Sequence, residues 1–88
     1  MDFRLSGHAE WEMARRGIPL ALVHSVMDHS EQTNCDESCT GRWIHQSGLV
    51  FEDGTMYLLR VVVDEDDLPS AIVSVYRTSK IEKYWSSE

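Results

Sequence analysis

The sequence predicts an α+β fold, with two N-terminal helices packed on an antiparallel sheet of about four strands. Three observations carry that prediction. Apolar residues recur at helical spacing through Met27, a polar stretch follows, and after Gly41 the apolar period shortens to that of strands. The pair Asp53-Gly54 then joins two strand-like runs as a hairpin turn does. At 88 residues the chain suits a single domain, 1–88, large enough for one core without obligatory staples.

Taken in order, Ser6 caps a first helix running to about Arg16, and Gly17 ends it. Pro19 suits the first turn of a second helix, whose stripe is Ile18, Leu22, Val23, Val26 and Met27. Ser30 to Gly41 is polar and rich in turn formers, Asn34, Asp36 and Ser38 among them, and is expected to be a loop. Arg42 to Gln46 and Gly48 to Glu52 read as two short strands, and Thr55 to Val63 as the strand after the hairpin turn. A second turn is expected at Asp64-Glu65-Asp66-Asp67-Leu68-Pro69. The last strand, Ala71 to Arg77, is expected to place Ile72, Ser74 and Tyr76 on one face and Val73 and Val75 on the other. The sequence shows neither internal repeats nor low-complexity segments.

Hydrophobic residues make up 42% and charged residues 26%, the globular range rather than the disordered one. No apolar run reaches the roughly 20 residues that a membrane-crossing helix needs. The start Met1-Asp2-Phe3-Arg4 lacks the pattern of a signal peptide, so a cytoplasmic location is expected, with Cys35 and Cys39 as free thiols or metal ligands. The formal net charge of -7 argues against broad attraction to nucleic acid or anionic lipid. The acidic residues nevertheless gather in turns, while Arg15, Arg16, Arg77, Lys80 and Lys83 lie in the two terminal segments, which leaves room for a local basic site.

Two segments hold the chemistry-bearing side chains. In the first helix His8, Glu12 and Arg15 share one side with Trp11 bordering them, so Glu12 can orient His8 as a general acid or base; the plainer reading is a solvated helical face. At the other end Arg77, Thr78, Ser79 and Lys80 leave the last strand with a guanidinium, an ammonium and two hydroxyls, a set able to hold a phosphodiester. Tyr84 and Trp85 offer faces for base stacking, against the plainer reading of an alternating strand and a covered core edge. His24, His29, Cys35 and Cys39 are close enough in sequence for zinc, but the spacing fits no familiar knuckle. The acidic run is expected to be a solvated turn, since contiguous carboxylates repel one another. The glycines are dispersed and form no phosphate-cradling loop.

The opening His8-Ala9, Met13 and Arg16-Gly17-Ile18, together with the closing Val75-Tyr76-Arg77-Thr78-Ser79-Lys80, resemble the bacterial family called domain of unknown function 4258. Where that motif usually has arginine before the methionine, this chain has Glu12. The resemblance implies two helices followed by an antiparallel sheet, similar to RelE- and ParE-like small toxins. It also implies metal-independent endoribonuclease activity without a cofactor, or a degenerate descendant of it, with RNA as substrate and an antitoxin as partner, although ParE-like members act on gyrase rather than on RNA. In that reading His8 is general base or acid and Arg16, Arg77 and Lys80 clamp the phosphate, with Arg15, Thr78 and Tyr84 positioning substrate. The competing expectation is a non-catalytic module of the same fold, whose acidic surface suits a basic protein.

Overall fold

The structure, a computed structural model, describes residues 3–35, 41–65 and 69–85. Its elements are β1 (Phe3–Leu5), α1 (Gly7–Arg16), α2 (Leu20–His29), β2 (Gln32–Cys35), β3 (Arg42–Val50), β4 (Met56–Asp64), β5 (Ser70–Thr78) and α3 (Ile81–Tyr84). No helix among the described residues is long and apolar enough to cross a membrane.

Ser6 starts α1 as expected, its Oγ accepting the Ala9 N–H at 3.0 Å. The same hydroxyl donates to the Val73 carbonyl, and the Ser6 N–H to that of Ile72, so the cap also pins the helix start to β5. Gly17 ends α1 in the left-handed region at φ 62°, with its N–H on the Met13 carbonyl. Pro19 is the N-cap of α2, which turns Val23, Val26 and Met27 inward.

The sheet has five strands in the order β1-β5-β4-β3-β2. It is mixed rather than purely antiparallel, because β1 runs parallel to β5, pairing Leu5 with Ile72. Three expectations from the sequence change here. The two short strands at 42–52 are one continuous strand, β3, since Gly48 keeps its place in the ladder opposite Leu58. Gln32–Cys35, expected as loop, is strand β2. Its polar alternation has polar partners on both sides: Gln32 Oε1 accepts from Gln46 at 2.7 Å, and Thr33 Oγ1 lies 3.4 Å from His45 Nδ1. The expected second turn falls largely on residues 66–68, outside the described ones.

The third change is in β5. Val63 of β4 pairs with Ile72 and Val62 with Ser74, so Val73 is an extra, bulged residue of β5, and this resets the alternation of that strand. Ile72 and Val75, expected on opposite faces, are therefore both in the core. The core lies on one side of the sheet, where α1 covers β5 and α2 covers β4 and β3; Leu59, Val61, Val63, Ile72 and Val75 meet Ala9, Met13, Val23, Val26 and Met27 there. On the other side Gln46, Arg60 and Tyr76 stand in register, and α3 folds back over them.

Candidate functional site

The side chains singled out in the sequence fall in three places. On α1, His8 Nε2 is 3.3 Å from Glu12 Oε1, and the His8 ring stacks against Trp11 at 6.0 Å. The expected pairing of His8 with Glu12 is present. Glu12 is buried, however, and the same Oε1 accepts the Ser74 Oγ–H at 2.8 Å and the Val75 N–H at 3.1 Å. The Glu12 carboxylate thus satisfies two donors of β5 beside the bulge and ties α1 to that strand. Arg15 turns to the ring of Trp11, 5.2 Å from its centroid.

Arg16 and Arg77, from opposite ends of the chain, line one cleft of about 510 Å³ with Gly17, Pro19, Phe51, Glu52 and Asp53. The Arg77 guanidinium lies over the rings of Tyr57 at 4.4 Å and Phe51 at 4.6 Å. Tyr57 donates to Asp53 Oδ2 at 2.7 Å, while Oδ1 accepts the Thr55 N–H at 2.9 Å. The Thr55 N–H, then the Tyr57 hydroxyl, hold the Asp53 carboxyl below its ordinary value; the same bond pushes the Tyr57 phenol up. The cleft thus carries two cations and two carboxylates, with Asp53 biased toward its ionised form. Lys80 and Lys83 line a separate hollow with Ser79.

Beneath α3 lies a cluster that sequence reasoning missed. Arg60 is 8% exposed, donates from Nε to Gln46 Oε1 at 2.9 Å and from a terminal nitrogen to the Tyr76 hydroxyl at 2.5 Å, and lies 4.4 Å from the centroid of Tyr84. Gln46 in turn donates to Gln32 Oε1 and to the Tyr84 carbonyl. Tyr84 therefore packs on Arg60, on the face of the sheet opposite α1. Thr78 is also remote from α1's His8: it ends β5 and accepts the Lys80 N–H at 3.0 Å. A signal for the cluster exists in the sequence, where Arg60 interrupts the run from Leu58 to Val63; a cation inside a strand that is otherwise apolar requires partners.

Between α3 and the sheet runs a mainly apolar groove of about 490 Å³, lined by Gly48, Met56, Ile81 and Trp85, with Glu31 and Glu82 as its charged members. No protein-family model, curated protein or solved structure matches this chain. Function is therefore read from these side chains.

The zinc reading of the cysteine loop meets a correction: Cys35 is disulfide-bonded, so its sulfur is not the free thiol or thiolate ligand expected. Cys39 lies outside the described residues. The His24 ring packs on Phe3 at 4.9 Å, and among the described residues there is no group of three or more His, Cys, Asp or Glu able to hold a metal ion.

Proposed function

We propose that this protein is a non-catalytic protein-binding module that works through the face of the sheet carrying α3. The observation that carries the reading is the groove beside α3, where Met56 and Trp85 leave apolar surface exposed on an acidic protein. The distribution of the candidate catalytic side chains supports it too. Cleavage by a 2′-hydroxyl needs a base and a clamp on one phosphate. His8 and Arg16 are at opposite ends of α1, about 12 Å apart along the axis at about 1.5 Å per residue. Lys80 belongs to another hollow, and Glu12 is committed to the bulge.

A second reading, the RelE-like endoribonuclease with RNA as substrate and an antitoxin as partner, is favoured by one observation. Arg16 and Arg77 share a cleft with Glu52, so two cations and a carboxylate base stand in one concavity. Incubating the protein with single-stranded and ribosome-bound RNA in chelator separates the two readings. The binding module leaves both intact. Cleavage that disappears in an Arg16→Ala/Arg77→Ala variant would replace the first reading with the second.

A further inference from the structure

We infer that the groove receives a basic, amphipathic segment of a partner protein, which sets one large apolar side chain on the backbone of Gly48; the inference rests on the protein-binding reading above. Gly48 is the first observation. It sits inside the nine-residue strand β3 and keeps its pairing with Leu58, although glycine weakens a strand interior. The fold does not demand a glycine there. A Cβ at this position would meet Met56 Sδ at 3.6 Å and Glu31 Oε1 at 3.7 Å, ordinary contacts that a side chain tolerates. A bare backbone on the floor of an open groove instead suits close approach by something from outside.

The walls supply the second observation. Ile81 opens α3 and Trp85 caps its C-terminal end, and Trp85 at 36% and Met56 at 53% exposure leave apolar surface uncovered around Gly48. This is the form of an anchor pocket, in which one buried apolar side chain provides most of the affinity.

Charge selects among the occupants. Both charged residues lining the groove are acidic, with Lys80 and Lys83 in the adjoining hollow that shares Ile81 and Glu82, and Glu31 is fixed in the groove because its Oε1 accepts the Gly48 N–H at 2.7 Å while its own N–H donates to Ser47 Oγ at 3.0 Å. Two carboxylates on a chain of net charge -7 repel phosphate, which disfavours nucleic acid and anionic lipid. A second copy of the chain brings the same charge, and a two-fold contact through the groove would set Glu31 and Glu82 of one copy against those of the other. A segment bearing Lys or Arg beside its apolar anchor satisfies rim and floor together.

The test uses the full chain and three synthetic peptides of equal length: an amphipathic leucine-lysine peptide, its leucine-glutamate counterpart, and a lysine peptide without leucine. Affinity is measured by calorimetry and location by amide shifts. The leucine-lysine peptide should bind at least roughly tenfold more tightly than either control, with shifts at Gly48, Met56, Ile81 and Trp85. Gly48→Leu, which fills the floor without altering charge, should weaken binding roughly tenfold, and so should Trp85→Ala, which keeps the strand intact should Gly48→Leu fail to fold. Equal binding by basic and acidic peptides, unchanged affinity in both variants, or self-association through the groove would overturn the inference. Shifts located elsewhere would also overturn it, yet leave the binding-module reading standing. Cleavage of RNA with no peptide bound would remove both.

Discussion

Glu12 offers the sharpest test of how this fold is held together, because one carboxylate oxygen serves the bulged strand. Replacing Glu12 with Ala leaves the buried Val75 N–H and the Ser74 hydroxyl without their acceptor. An unsatisfied buried donor costs about 1–3 kcal/mol, and a hydrogen bond to a charged group contributes about 1.5–3 kcal/mol, so a loss of about 2–4 kcal/mol is expected. In a domain of this size that lowers the melting temperature by roughly 10–20 °C. Glu12→Gln keeps a carbonyl acceptor and should cost about 1 kcal/mol. Glu12→Arg offers only donors to donors and should be at least as damaging as alanine. Urea unfolding of the three variants, monitored by circular dichroism, decides the matter. Should Glu12→Ala lie within about 0.5 kcal/mol of the parent, the range of an ordinary surface substitution, the bulge does not depend on this carboxylate and the structural role given to it is wrong.

Three further outcomes are expected. His45 is buried with its Nε2 unpartnered, and burial, only partly opposed by Glu65, lowers its pKa from the model-compound value of 6.5. Its unfolded form therefore takes up the proton first, so stability should fall as pH drops below about 6.5, by at most about 1.4 kcal/mol per pH unit until the folded pKa is passed. His45→Gln should flatten that slope in unfolding curves taken between pH 7 and pH 5. Arg60→Leu strands the Gln46 carbonyl and the Tyr76 hydroxyl and should cost about 2–3 kcal/mol in urea unfolding, with Tyr84 losing the cation it packs on; an unchanged midpoint would show that the cluster is ornamental to stability. Val75→Ala should cost about 1.5–3 kcal/mol and Val73→Ala under about 1 kcal/mol, because the bulge puts Val75 in the core and leaves Val73 half-buried; equal costs would contradict that register.

What the sequence made legible follows the strength of its local signals. Ser6 acts through a hydroxyl that reaches only three residues ahead, and Gly17 and Pro19 through their own backbones, so both helix starts and the stop between them could be read directly. The hairpin at Asp53-Gly54 was equally local, with Gly54 at φ 78°. What stayed hidden depends on distant partners. Three-residue β1 is a strand only because β5 runs beside it, polar β2 because Gln46 and His45 answer its side chains, and four-residue α3 because Tyr84 has Arg60 to rest on. The bulge in β5 is invisible in the alternation of residues 71–77, since it exists only in the pairing of that strand with β4. For the candidate site, the meeting of Arg16 with Arg77 was legible as two basic clusters at opposite ends. The division of His8, Lys80 and Tyr84 among other places required the sheet to be known, because the face on which a strand residue stands is set by register.

The cations themselves bear on which partner the surface admits. Of eight Lys and Arg residues, Arg15 lies over Trp11, Arg60 over Tyr76 and Tyr84, Arg77 over Tyr57 and Phe51, and Lys83 over Tyr84. Each such contact is worth about 0.5–1 kcal/mol where exposed and more where desolvated, so half of the Lys and Arg side chains already lie over this chain's own aromatic rings. To grip a phosphate chain, Arg77 would have to give up two aromatic rings beside a carboxylate that stays ionised, and Arg60 would have to leave cover beneath α3. Among the described Asp and Glu residues, Glu12, Glu31 and Asp53 are tied into hydrogen bonds, while Glu52, Glu65 and Glu82 stand exposed. With Arg60 buried, Arg77 partly covered and fifteen acidic residues against eight basic ones, the charge of the protein has one dominant sign, and a basic partner is the class that such a charge attracts over distances of a Debye length.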